Sequence, residues 1–160
     1  MSIVVGESLP EVATFVVKPD GPMATSTGQV FANKRAVLFA VPGAFTPTCS
    51  ARHLPGFVEK ADVIFDKGVD LIACVSVNDA FVMAAWAGRH DAGKAITMIA
   101  DGNGTFVRAI GLDRDMSERG MGYRSQRFAM VLADGVVEQL FVESAGGYGI
   151  SSAENVLSHL

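Results

Sequence analysis

Cys49 and Cys74 are the chain's only thiols, and the residues around the first of them are those a reactive sulfur needs. Cys49 lies in Val41-Pro42-Gly43-Ala44-Phe45-Thr46-Pro47-Thr48-Cys49-Ser50, a turn-rich stretch between an apolar run and a long helical pattern. Thr46 suits an N-cap and Pro47 the first helical position, where its fixed φ fits and its missing N–H is not needed. Cys49 is then expected in the first helical turn. A sulfur there meets unpaired backbone N–H groups and the positive end of the helix dipole, which favour the thiolate, the nucleophilic form. The competing reading is a small buried hydrophobe. The hydroxyls of the Thr-Pro-Thr-Cys-Ser run argue against the aliphatic surroundings which that would need.

Ionisation alone makes a weak catalyst. An ordinary thiol is a few per cent ionised at neutral pH, so full ionisation gains at most roughly 30-fold in thiolate, about 2 kcal/mol. A thiol of lower pKa is also intrinsically less nucleophilic. A fast site must therefore place hydrogen-bond donors where charge develops in the transition state. The Thr46 hydroxyl, three residues upstream, can reach the sulfur or a bound oxygen. An arginine fork can hold the sulfur and polarise that oxygen together. Spacing leaves Arg35, Arg52, Arg124 and Arg127 all open for this part. His53, one turn beyond Cys49, raises a second class, a Cys–His hydrolase acting by acyl transfer. Successive helix turns orient both side chains along the axis rather than across a cleft, and no third member is marked. His90 and His159 read as surface or helix-end residues.

The elements that must carry these residues follow from hydrophobic periodicity. Ala36 to Val41 is a short apolar run ending at Pro42-Gly43, expected as a strand buried on both faces, so the Cys49 stretch leaves its carboxyl end, where open α/β sheets bind ligands. From Thr48 to Lys67, Leu54, Phe57, Val58, Ala61, Ile64 and Phe65 recur at helical steps, and Pro55 is expected to kink this helix one turn past Cys49. Val69 to Val77 is a second buried strand, with Cys74 on the face of Ile72 and Ser76 and expected to be inert. Asn78 is expected to cap a helix from Asp79 to Gly88, and Ala95 to Ala100 is a third strand.

Before these, Glu11 to Val17 and the breakers after it suggest an edge hairpin. After them come a turn at Asp101-Gly-Asn-Gly, a short helix from Thr105 to Ile110 and a polar loop from Asp113 to Ser125. Strands Arg127 to Leu132 and Val136 to Val142 flank a tight Asp134-Gly135 turn. Ser151-Ser-Ala-Glu154 has capping-box spacing and opens a helix to Leu160. This order is that of a thioredoxin-like α/β fold, a central mixed sheet flanked by helices with an N-terminal hairpin extension, in one domain over residues 1–160.

The chain has 160 residues, 49% apolar and 19% charged, with a net charge of −4. Those values fit a globular protein and leave no basic footprint for nucleic acid. The start lacks a signal peptide's basic and apolar regions, and no apolar run approaches the ~20 residues of a membrane helix, so a cytoplasmic protein is expected. Two cysteines too distant for Cys-x-x-Cys, without a histidine cluster, give no expectation of a metal or other cofactor.

Pro42-x-x-x-Thr46-x-x-Cys49 resembles the Pro-x-x-x-Thr-x-x-Cys signature of peroxiredoxins. With His53-Leu-Pro-Gly-Phe57, Ala73-Cys-Val-Ser-Val-Asn-Asp-Ala-Phe81 and Arg127-Phe-Ala-Met-Val131, the chain looks like the type II, peroxiredoxin-five-like branch. The resemblance implies reduction of hydrogen peroxide and alkyl hydroperoxides through a sulfenic acid on Cys49, the peroxidatic nucleophile. It also implies that Pro42 shields the sulfur, Thr46 binds the peroxide and Arg127 is the activating arginine. Some members carry a resolving cysteine before the last helix; here Gly149, Ile150 and Ser151 stand in that region, which implies a one-cysteine variant. Similar one-cysteine members use glutathione or glutaredoxin, with thioredoxin the rival, and related proteins pair as homodimers near Phe45. The alternative to an enzyme is a redox-sensing interaction protein using the same sulfenic acid.

Overall fold

A computed structural model describes residues 1–160. The chain runs β1 (Ala13–Lys18), β2 (Gly21–Ser26), α1 (Thr27–Phe31), β3 (Arg35–Ala40), a π-helical turn (Cys49–His53), α2 (Leu54–Asp66), β4 (Leu71–Ser76) and α3 (Ala80–Arg89). It continues through β5 (Thr97–Ala100), α4 (Thr105–Ala109), β6 (Asp113–Asp115), a 3₁₀ turn (Ser117–Arg119), β7 (Tyr123–Ser125), β8 (Phe128–Ala133), β9 (Val136–Val142) and α5 (Ala153–Ser158). Seven strands form one mixed sheet in the order β2-β1-β5-β4-β3-β8-β9, and β6 pairs with β7 apart from it. The fold is thioredoxin-like, with β3, β4 and β5 parallel at the centre and the other pairings antiparallel.

The continuous apolar runs of β3 and β4 are explained by helices on both faces of the sheet. On one face, Val37, Phe39, Ile72 and Cys74 pack under Phe57 and Ile64 of α2, Met83 and Trp86 of α3, and Val156 of α5. On the other, Leu38, Ala73 and Val75 pack under Val30 and Phe31 of α1 and Phe106 and Val107 of α4. Alternation along β4 puts Cys74 on the face of Ile72, as its sequence position requires. The hairpin at Asp134-Gly135 is also as expected, both residues having positive φ (48° and 77°), the pairing a tight turn needs.

Several local expectations change. The N-terminal hairpin is split in role, since β2 forms the sheet edge while β1 is an inner strand bonded to β5. Helix α1, capped by Ser26 accepting from Gln29 N–H, is too short to show a periodic stripe and was not expected. The segment from 113 to 125 is a small hairpin rather than a loop. The cap of α3 is Asp79, which accepts from Phe81 and Val82 N–H, not Asn78. The cap of α5 is Ser152, accepting from Asn155 N–H, not Ser151. In both cases the displaced residue makes a bond to a distant element instead.

Candidate functional site

Cys49 opens the π-helical turn at the carboxyl side of β3, and its side chain is completely buried. The expected α-helical first turn is replaced by one wider turn. Ser50 N–H still bonds to Thr46 C=O at 2.9 Å, but Leu54 N–H reaches back five residues to Cys49 C=O. Pro55 supplies the reason: without an N–H it cannot bond to Ala51 C=O, so the ladder widens just before it instead of kinking after Cys49. Proline then sits in the first turn of α2, where no N–H is needed. Ser50 Oγ is fixed by Trp86 Nε1–H of α3 at 2.9 Å.

The loop from Pro42 to Thr46 is held from below. Asn78 Oδ1 accepts from Ala44 N–H (3.0 Å) and from Ser76 Oγ–H (2.6 Å), so the residue expected to cap α3 ties this loop to the end of β4. Thr46 Oγ–H donates to Gly43 C=O at 2.7 Å and does not cap the helix. Its methyl folds so closely over Gly43 that a Cβ there would come within 3.2 Å of it. Phe45, between them, has φ 67° and is half exposed. An aromatic residue in the left-handed region is strained, and such strain persists where the surrounding structure imposes it.

Of the four arginines open to the sulfur, geometry selects Arg127, immediately before β8. Its Nη2–H donates to Cys49 Sγ at 3.2 Å and its Nη1–H to His53 Nδ1 at 2.9 Å. Arg124 is spent on Met121 C=O and Val77 C=O, Arg35 pairs with Glu138, and Arg52 lies over the Tyr148 ring, 4.4 Å from its centroid.

His53 forms no pair with the sulfur, as the sequence reading held, but its part in holding Arg127 was missed. It is buried and does not act on the sulfur, because both ring nitrogens are taken. Guanidinium can only donate, so Nδ1 accepts from Arg127 and Nε2 carries the proton, donating to Ser151 C=O at 2.9 Å. Burial first, and the neighbouring Arg127 cation second, hold its pKa down at about 3, so it is the neutral acceptor that arrangement requires. Ser151 is itself anchored, its N–H and Oγ–H both donating to Glu143 Oε2 (2.9 and 2.7 Å), which also accepts from Gly149 N–H. These bonds hold the Glu143 carboxyl below its ordinary range although partial burial opposes them. A chain of contacts therefore runs from Glu143 through Ser151, His53 and Arg127 to Cys49. The i, i+4 step from Cys49 to His53 was visible in the sequence, but its direction was not.

Beside Arg127 lies an open pocket of about 530 Å³ whose walls include Pro42, Thr46, Gln126 and Arg127, with the buried Cys49 behind them and not part of the lining. The expected residues thus converge: Cys49 behind, bonded to Arg127, with Pro42 and Thr46 at the wall. Cys74 shares the apolar layer of Cys49. It is fully buried, and burial pushes its pKa well above the ordinary range, the nearby Cys49 adding to the effect. No helix is long and apolar enough to cross a membrane.

The Redoxin family model matches residues 4–157. Peroxiredoxin-2B of Arabidopsis thaliana is 44% identical over 159 residues, covering 99% of this chain and 98% of that protein. Peroxiredoxin-2E-2, chloroplastic, of Oryza sativa subsp. japonica is 49% identical over 164 residues, 99% of this chain and 73% of the relative. Among solved structures, reduced Prx3 from Vibrio vulnificus in complex with hydrogen peroxide matches with a TM-score of 0.94 at 47% identity, covering 98% of both chains.

Proposed function

The chain belongs to the peroxiredoxin family of thiol-dependent peroxidases, and from that premise we propose that Cys49 is the residue that attacks the peroxide. The observation that carries this assignment is the 3.2 Å bond to its sulfur from Arg127, which also lines a pocket walled by Pro42 and Thr46. In the proposed reaction the Cys49 thiolate attacks the terminal peroxide oxygen. A sulfur–oxygen bond forms, the oxygen–oxygen bond breaks, and the leaving oxygen takes a proton to become water or an alcohol. Arg127 polarises the breaking bond while holding the sulfur. The Thr46 proton is committed to Gly43, so its oxygen is left to accept from the peroxide O–H, and Pro42 screens the site from water.

For resolution we propose a one-cysteine cycle of the type II kind. The loop before α5 has no thiol, and the Cys74 sulfur is buried and disfavoured as a thiolate. An external thiol then reduces the sulfenic acid, with glutathione or glutaredoxin favoured and thioredoxin the rival. Mass spectrometry after one equivalent of peroxide tests both parts. Cys49 should carry a dimedone-reactive oxygen adduct with Cys74 still free, Cys49→Ser should abolish turnover, and Cys74→Ser should keep most of it. A Cys49–Cys74 linked peptide would make Cys74 the resolving residue. For the assembly we propose a homodimer that uses the surface around Phe45.

A further inference from the structure

The pocket beside Arg127 has a charge opposite to that of the protein around it. The chain carries a net −4, yet the pocket lining holds three guanidinium groups, Arg114, Arg119 and Arg127, and a single carboxylate, Glu143. Glu143 is turned to the loop, where its carboxylate takes three hydrogen bonds from Gly149 and Ser151. Arg127 is committed to Cys49 and His53. Arg114, on β6, and Arg119, in the 3₁₀ turn after it, have no carboxylate within 4 Å, the only such pair in the structure being Arg35 with Glu138. Of the acidic residues beside them in sequence, Asp115 is occupied by Ser117, and neither Asp113 nor Glu118 comes within 4 Å of either guanidinium. Two cations are therefore held free at the edge of a recess that reaches the sulfur through Arg127, which lines it and bonds to Cys49.

We propose that Arg114 and Arg119 form a subsite for the reductant and that they select a small thiol bearing carboxylates. Hydrogen peroxide is far smaller than the pocket and uncharged, so it has no use for them. An uncharged alkyl hydroperoxide can use the apolar part of the wall, Pro42, Pro47, Met116 and Met121, but like hydrogen peroxide it has no use for two cations. A short anionic peptide thiol matches both the volume and the charge: its carboxylates engage the two guanidinium groups while its sulfur reaches inward. That sulfur attacks the Cys49 sulfenic acid. A disulfide bond forms, the sulfur–oxygen bond breaks, and the hydroxyl leaves as water with the thiol proton. A second thiol then releases Cys49 and carries the disulfide away. The subsite rests on Cys49 being the peroxidatic residue, and the experiment separates the two.

Cys49 sulfenic acid, formed with one equivalent of peroxide, is chased in stopped flow with glutathione or with the cationic thiol cysteamine, and the ratio of their rate constants is followed. In the Arg114→Gln, Arg119→Gln double variant the ratio should fall by about tenfold, as expected for two partly screened charges, and the wild-type ratio should fall with added salt. The Arg114→Lys, Arg119→Lys variant keeps the charges and should keep most of the ratio. An unchanged ratio in the glutamine variant, or a wild-type ratio indifferent to salt, would overturn the subsite while leaving the peroxidase intact. Absence of a dimedone adduct on Cys49 in the wild type would overturn the peroxidatic assignment itself, and the subsite with it.

Discussion

Each outer nitrogen of the Arg127 guanidinium makes a bond here, one to the Cys49 sulfur and one to a histidine kept neutral for the purpose. Without an acceptor at His53 the fork would lose the bond that sets its angle. Hydrogen bonds to charged groups are worth about 1.5–3 kcal/mol. His53→Ala is therefore expected to slow oxidation of Cys49 by peroxide about tenfold or more in folded protein, whereas His53→Gln, which retains an acceptor oxygen, should retain most of the rate. Equal losses in stopped-flow measurements would show that packing, not the acceptor, matters. The same histidine makes stability depend on pH. Its folded pKa of about 3 lies far below the ordinary value of 6.5, so between those values the unfolded chain binds the extra proton. Stability then rises with pH and is lost as pH falls below about 6.5, by about 1.4 kcal/mol per unit at full effect. Burial raises the Asp101 carboxyl and acts in the opposite direction, so the contribution is read as a difference. Urea midpoints from pH 7.5 to 5 should fall less steeply in His53→Gln than in the wild type.

The π-helical turn is where an element sets the chemistry. It spans Cys49–His53, the two residues that grip Arg127 from either side, and it exists because Pro55 has no N–H to offer Ala51. A regular helix would rotate every residue upstream of Pro55 by one position relative to α2, moving the sulfur away from Arg127. Pro55→Ala restores the missing donor and permits that rewinding. We expect the peroxide rate to drop at least several-fold, with the thermal midpoint unchanged or raised, because a good helix former has replaced a breaker. A lowered midpoint with an unchanged rate would show that the wide turn is fixed by its contacts, such as Trp86 on Ser50, and not by the proline.

Over the whole molecule, the central sheet divides the core into two apolar layers, and the reactive layer is the one beneath α2, α3 and α5. The loop from Pro42 to Thr46 carries the exposed Phe45 at positive φ, and Asn78, which holds that loop, leads into α3, whose first turn carries the exposed Phe81. The proposed dimer would cover these exposed aromatics, which are costly to leave in water. Sedimentation at micromolar concentration should show a dimer, and Phe45→Asp should shift it towards monomer. A wild-type monomer would end that assignment.

The apolar runs of β3 and β4, the stripe of α2, the placement of Cys74 and the Asp134-Gly135 turn were all legible in the chain, because each depends on neighbours in sequence. The thiol proposed as the nucleophile could be named from the chain as well, since Pro42, Thr46 and Cys49 lie within one loop and helix start. The caps at Asn78 and Ser151 were misread because a polar side chain near a helix start has local and distant partners, and only packing chooses between them. Composition and spacing left four arginines equal, and only family resemblance singled out Arg127. Its bond to His53 joins residues 74 apart in sequence, and no local pattern carries that distance. Tertiary structure made the choice because pairing β8 with β3 sets Arg127 where its two outer nitrogens meet the Cys49 sulfur and the neutral His53 acceptor.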